Sequence, residues 1–420
     1  MRIAQISKAD AFGGGASRVA EELTGLLNRN GTFAEHWCSW SGNGYGNQKK
    51  PLYGRYQRPI RRAHTLLRKL GFPELIPFEL AILLRKSRIW DYDLIHFHDL
   101  SSAISPQTLW YLSRYRPVLW TLHDCSAFTG GCLYPMDCTK FRRNCGRCPQ
   151  IGEWPIDCWF DFTGLTHSLK RRLAKTGRVV TLTPSRWMSD TAFSSGIYQY
   201  KPLVVNNGID TDIFRPRDRG EVRARLGLPP EAPMVLLSAG NFFDERKGTR
   251  FALEALRGVS DLGIHLLVVG NMDDRSREHL NGFAYHEAGY VGDPARLAEH
   301  YAAADAFVFC SLADNQPLVV LETMAAGTPL IGFATGGIPE LVLQDQTGFL
   351  VPQRDIQALV AALRHAFTGD RLKRWGENAR QRAVEKYSHA RFLASHMALY
   401  EQVLRGEFDI WRRGGPGTRP

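Results

Sequence analysis

The stretch Cys310–Val342, CSLADNQPLVVLETMAAGTPLIGFATGGIPELV, decides how the chain is read. An apolar run, Ala306–Cys310, leads into it with the β-branched and aromatic composition of a buried strand. A polar loop follows, carrying Asp314 and Asn315. Pro317 suits the first helical position, where its missing N–H is not needed, and Pro317–Ala326 reads as a helix. A second apolar run, Pro329–Phe333, completes a strand–helix–strand unit. Asp314 and Glu322 flank seven residues and do not share a helix face. Asp314 lies above the helix N-terminus, and Glu322 sits more than a turn inside. The first helical N–H groups, around Leu318 and Val319, are free to meet a phosphate between the two carboxylates. A capping carboxylate plus a solvated helix glutamate is the plainer alternative, but Glu322 has apolar neighbours on both sides.

Similar units extend in both directions. In the first half the strand candidates are Ile3–Ser7, Ala34–Trp40, Leu94–His98, Val118–Leu122, Val179–Thr183 and Leu203–Val205. A new series starts at Met234–Ala239 and continues with His265–Val269, Gly289–Val291, Ala306–Cys310, Pro329–Phe333 and Gly348–Val351. Helical stretches such as Gly248–Leu256 and Pro294–Ala303 alternate with them. Two successive doubly wound series predict two Rossmann-like α/β domains, residues 1–201 and 202–387, facing a central cleft that holds the ligand. Residues 388–411 are expected to form a helix returning to the first domain, followed by a Gly/Pro tail, 412–420.

The composition fits this reading. The chain has 420 residues, 44% hydrophobic and 23% charged, which excludes a disordered or collagen-like protein and favours two cores over one. Lys and Arg number 53 against 42 Asp and Glu, a net of +11 that points to an anionic partner. Residues 49–88 hold eleven basic side chains against Glu74 and Glu79, a net of +9, so the excess is local. Within that segment Ile60, Ala63, Leu66, Leu67 and Leu70 recur at helical spacing, with Arg61, Arg62, Arg68 and Lys69 outside the stripe. Such a helix suits an anionic membrane surface or, equally, a core-facing stripe with a solvated basic face. No apolar run is long enough to span a bilayer, and Met1–Ser7 opens as a strand rather than as a secretory signal. A cytoplasmic chain, peripheral at the inner face of the plasma membrane where the basic helix meets a bilayer, is the expectation.

Two further features carry chemistry. Gly13-Gly14-Gly15 lies between the first strand and a helix opening near Ser17. Backbone amides there can approach an anion, or the run is a plain turn; the spacing does not fit a dinucleotide fingerprint. Cys132, Cys138, Cys145 and Cys148, spaced C-x5-C-x6-C-x2-C in an insert spanning 125–158, suit structural tetrahedral zinc in a reducing compartment. Free thiols or a redox pair are the alternatives. Four protein ligands leave no open position, so no catalytic metal is expected.

The Asp314–Glu322 motif, with Met324-Ala325-Ala326-Gly327-Thr328-Pro329 and Gly336-Gly337-Ile338-Pro339-Glu340, resembles the donor-binding signature of the retaining glycosyltransferases of family 4, which have the GT-B fold. Further matches follow the family's order: the Gly-rich first loop, His98, Thr121-Leu122-His123-Asp124, Pro184-Ser185-Arg186-Trp187, Asn207-Gly208-Ile209-Asp210 with Phe214 and Pro216, and Arg246-Lys247-Gly248. The resemblance implies sugar transfer from a nucleotide-sugar to a saccharide acceptor, with retention at the anomeric carbon. It implies catalytic roles for His123, Asp314 and Glu322. It implies donor contacts from Gly14, Gly15, Arg246, Lys247, Asn315, Pro317, Leu318 and Val319. Glu322 would meet the donor ribose, Asp314 the sugar and Lys247 the leaving diphosphate. Asp314 stands where the motif usually has Glu, and Gly240-Asn241 stand where it has Arg. The cysteine insert resembles that of bacterial exopolysaccharide glycosyltransferases, which implies a polyprenyl-diphosphate-linked acceptor in surface polysaccharide assembly. A nucleotide-sugar epimerase-like enzyme would share the architecture but not need this motif. A zinc-containing nucleic-acid-binding protein would leave both Rossmann series unused, and no nucleic-acid partner is expected.

Overall fold

A computed structural model of the protein describes residues 1–85, 89–101, 103–175, 178–238 and 244–408. Lys86 and Arg88 of the basic segment, Gly240-Asn241 and the 412–420 tail lie outside the described residues. The chain divides into two compact units. One is Met1–Asn206 together with the chain from Leu393 onward, and the other is Asn207–Phe392.

The first unit is built on a seven-stranded sheet of β1 (Arg2–Ala9), β2 (Phe33–Trp40), β3 (Lys49–Pro51), β4 (Leu94–Phe97), β5 (Val118–Thr121), β6 (Val179–Thr183) and β7 (Leu203–Val204). Its order is β3-β2-β1-β4-β5-β6-β7, and all the paired strands run parallel. Strands β4, β5 and β6 are buried along their whole length, which is why they read as apolar runs rather than as alternating ones. The helix Gly15–Arg29 covers the sheet with Val19, Leu23 and Leu27, one helical turn apart. The last helix, His389–Leu404, also belongs here through Tyr400: its hydroxyl lies 2.7 Å from His96 Nδ1 and accepts from Gln5 Nε2 at 3.0 Å. Strand order reverses between β1 and β4, where an open parallel sheet leaves a crevice at its carboxyl edge.

The second unit repeats the plan with β8 (Met234–Ser238), β9 (His265–Val269), β10 (Ala284–Gly289), β11 (Ala306–Phe309), β12 (Leu330–Phe333) and β13 (Gly348–Val351). The order is β10-β9-β8-β11-β12-β13, again parallel throughout, with the reversal between β8 and β11. Apolar clusters fill both sides of this sheet, one around Phe307, Leu321 and Met324, the other around Leu237, Phe333 and Trp375.

Two edges differ from the sequence expectation. The strand expected at Gly289–Val291 lies earlier, at Ala284–Gly289, and β3 was not anticipated. Both are edge strands, half-exposed or exposed and without a run of large aliphatic residues, so neither leaves an apolar signature. Pro317 is the N-cap, with extended backbone (ψ 131°), and the helix begins at Leu318.

Candidate functional site

In the second unit the loop leaving β11 bends back over the sheet edge and carries Ser311 to Gln316. Two close approaches hold it. Gly248, at φ +64°, packs so tightly that a Cβ there would come within 2.0 Å of the Cys310 carbonyl oxygen. Gly336, at φ +55°, lies against the next turn of the loop, where a Cβ would come within 1.9 Å of the Asp314 carbonyl oxygen. Only glycine fits either backbone. The Leu312 N–H donates to the Arg246 carbonyl at 2.7 Å, so the 245–247 turn and the loop are stitched together.

Stitching brings both basic residues of the turn to one carboxylate. Lys247 Nζ lies 3.1 Å from Asp314 Oδ2, and Arg246 Nη1 lies 3.6 Å from the same oxygen while donating to the Ala313 carbonyl at 3.0 Å. Adjacent residues thus serve the same spot, with Ser311 Oγ donating to Asp314 from 3.4 Å. Asp314 is 7% exposed and Asn315 is buried with it. Asn315 through Val319 follow directly into the N-terminus of the helix Leu318–Ala325, which has no side-chain cap. Glu322, inside that helix, is 2% exposed, which disposes of the solvated alternative. Charge clustered at an uncapped helix N-terminus is the arrangement that receives an anion.

Sequence reasoning missed Gln316. Its Oε1 accepts the Asn207 N–H at 2.6 Å and its backbone carbonyl accepts Asn207 Nδ2 at 3.1 Å, which gives the Asn207-Gly208 motif a structural task. Its Nε2 is buried without a hydrogen-bond partner among the described residues, a donor left for a ligand oxygen. No local signal reveals a contact between residues this far apart in the chain.

In the first unit His123 follows β5 and is half-buried. Its Nε2 lies 3.2 Å from His98 Nδ1, and His98 Nε2 lies 2.7 Å from Gln5 Oε1, so a buried chain of polar groups fixes the ring. Burial holds His123 down to about 4, with Asp99 opposing, so the imidazole is neutral at pH 7. Asp124 is raised to about 6 by burial and by Asp99. Lys8 Nζ pairs with Asp99 at 2.8 Å, across the reversal between β1 and β4. His98, Asp99, His123 and Asp124 line one small cavity there. Gly14 caps the helix that opens at Gly15, two residues before the expected Ser17, without a side-chain cap bond. The Ser17 hydroxyl is buried without a partner among the described residues.

Cys132, Cys138, Cys145 and Cys148 line one cavity of about 20 Å³, room for a single water-sized occupant. All eight cysteines are free. The sulfurs are not drawn together as a ligand set as expected: among the described residues no three His, Cys, Asp or Glu side chains are placed to hold a metal ion.

With this geometry in place, comparison with known proteins is specific. Residues 13–213 match the family model described as Glycosyltransferase Family 4, and residues 233–368 match Glycosyl transferases group 1. A D-inositol 3-phosphate glycosyltransferase of Geodermatophilus obscurus is 32% identical over 349 residues, 78% of this chain and 70% of that protein. The chain belongs to the family 4 glycosyltransferases. The putative colanic acid biosynthesis glycosyl transferase WcaC of Escherichia coli is 26% identical over 297 residues, 68% of each chain. Other curated relatives are matched over about half their length, for example 41% of the sulfoquinovosyl transferase SQD2 of Arabidopsis thaliana, at 30% identity over half of this chain. Among solved structures, sucrose-phosphate synthase from Thermosynechococcus elongatus superposes with a TM-score of 0.68 at 20% identity, covering 96% of this chain and 99% of that one. Anabaena HepE in complex with UDP-glucose gives 0.66 at 16% identity, covering 96% and 100%. The fold is GT-B, two parallel-sheet α/β domains.

Proposed function

We propose that the protein transfers a sugar from a nucleotide-sugar donor to a saccharide acceptor with retention at the anomeric carbon, the second unit holding the donor and the first the acceptor. The observation that carries this is the meeting of Lys247, Arg246 and Asp314 at the uncapped N-terminus of Leu318–Ala325. As the bond from the anomeric carbon to the diphosphate oxygen breaks, negative charge grows on the leaving group. Lys247 and the N–H groups of Leu318 and Val319 stabilise it. The acceptor oxygen forms the new bond and its proton departs with the diphosphate. Asp314 and Asn315 then face the sugar, Glu322 binds the ribose hydroxyls and neutral His123 contacts the sugar as a hydrogen-bonding group. WcaC, through its role in colanic acid biosynthesis, supports surface polysaccharide assembly as the setting, with a polyprenyl-diphosphate-linked acceptor at the inner face of the plasma membrane. Among the described residues no helix is long and apolar enough to cross a membrane.

The test is protection against thermal unfolding by a panel of nucleotide-sugars, UDP-glucose first. A ligand at a hundred times its Kd adds about 2.7 kcal/mol to the native state. Protection by at least one nucleotide-sugar is expected. Protection by an oligonucleotide and by no nucleotide-sugar would sink the reading.

A further inference from the structure

The helix Gln57–Lys69 turns His64 into the core and leaves Arg58, Arg61, Arg62, Thr65 and Leu66 exposed, a single face at three- and four-residue spacing. No ion pair joins Arg58, Arg61 or Arg62 to any described residue, so their charge is open to a partner. The bland reading, a solvated basic face, accounts for the arginines but not for what lies at the helix's C-terminal end.

There the chain after the cysteine insert crosses the helix. The Trp159 N–H donates to the Lys69 carbonyl at 2.7 Å. Arg68 and Lys69 both pair with Asp157, so the crossing is clamped by charge as well as by backbone. Phe162 stacks on Phe72 with ring centroids 4.4 Å apart, and the carbonyl of Phe160 lies against Gly71. Held at Lys69 and Gly71, Trp159 and Phe160 are 65% and 55% exposed, and Leu66, three residues before Lys69 on the helix, is 55% exposed. Large aromatics anchored by their neighbours yet exposed together mark an interaction surface rather than loose packing.

We propose that Leu66, Trp159 and Phe160, with the arginine face of Gln57–Lys69, form a docking surface for an anionic lipid bilayer. The chemistry is that of an interface: Trp and Phe enter the headgroup–acyl boundary while the arginines stay among the anionic headgroups. Three arginines on one face, unpaired among the described residues and with no carboxylate on the helix, give the charge complementarity. The surface deepens the reading above, since a lipid-borne acceptor has to be met at a membrane, but its bilayer affinity does not depend on which sugar is moved.

The experiment is co-sedimentation of the full chain with vesicles of phosphatidylglycerol in phosphatidylcholine, and with phosphatidylcholine alone. Binding to the anionic vesicles only, weakened by salt, is expected. Arg61→Gln with Arg62→Gln should lower the partition coefficient roughly thirtyfold, the equivalent of about 1 kcal/mol for each basic residue near the surface. Trp159→Ser with Phe160→Ser should lower it at least tenfold even at low salt. Because all four side chains are exposed, both variants should keep the wild-type melting temperature and nucleotide-sugar protection. No binding by the wild type at low salt, or binding unchanged in either variant, overturns the proposal, as does capture by an acidic polymer but not by vesicles. A chain that binds vesicles but no nucleotide-sugar would instead leave this surface standing and remove the transferase reading.

Discussion

Lys247→Ala is expected to lower the transfer rate by about 10²–10³-fold, the usual loss when one fixed stabiliser of a developing anion is removed. The side chain is half-buried and held 3.1 Å from Asp314, so it is already in place before charge develops. Its removal leaves the fold intact, because Asp314 keeps Ser311 and Arg246 as neighbours. Glu322→Ala should have an effect of similar size through a different route. In its proposed role Glu322 accepts the ribose hydroxyls from a buried position, so the loss should show in nucleotide-sugar affinity as well as in turnover. Initial rates and thermal protection of each variant, beside a circular dichroism spectrum, separate these effects. Near-normal turnover in either variant would remove that residue from the site.

Gly336→Ala should damage stability and site together. The left-handed backbone alone costs alanine about 1–3 kcal/mol, and the new Cβ would meet the Asp314 carbonyl oxygen at 1.9 Å, a contact that only movement of the loop can relieve. A melting temperature at least about 4 °C lower is expected, together with weaker nucleotide-sugar protection, since the displaced loop is the one that presents Asp314 to Lys247. Gly46→Ala is the control: nothing lies within 4 Å of its added Cβ, so it should melt like the wild type. Equal behaviour of the two variants would mean that the loop does not depend on Gly336.

Much of this was legible in the chain itself, and the reasons are physical. Strands such as Val179–Thr183 and His265–Val269 lie where the sequence puts them because interior parallel strands are continuous apolar runs. The helix after β11 announces itself through Pro317 and the small residues at its end. What the chain hides is contact at a distance. Lys247 reaches Asp314 across 67 positions, and Gln5 reaches Tyr400 across 395. Such pairs have no local pattern, and the motif hints at them only because the family resemblance groups its parts. Exposed Trp159 and Phe160 are equally hidden, because an aromatic in a sequence reads as core until its neighbours are known.

The first unit is discontinuous: Tyr400 reaches His96 and Gln5 only after the whole second unit has been made. During synthesis, then, Asn207–Phe392 emerges as one uninterrupted segment able to complete its own core, while the earlier-made unit waits for its final helix. A chain that stops short of residue 400 leaves buried His96 of β4 without its Tyr400 partner. The N-terminal unit therefore completes this buried contact only once its C-terminal helix has been made.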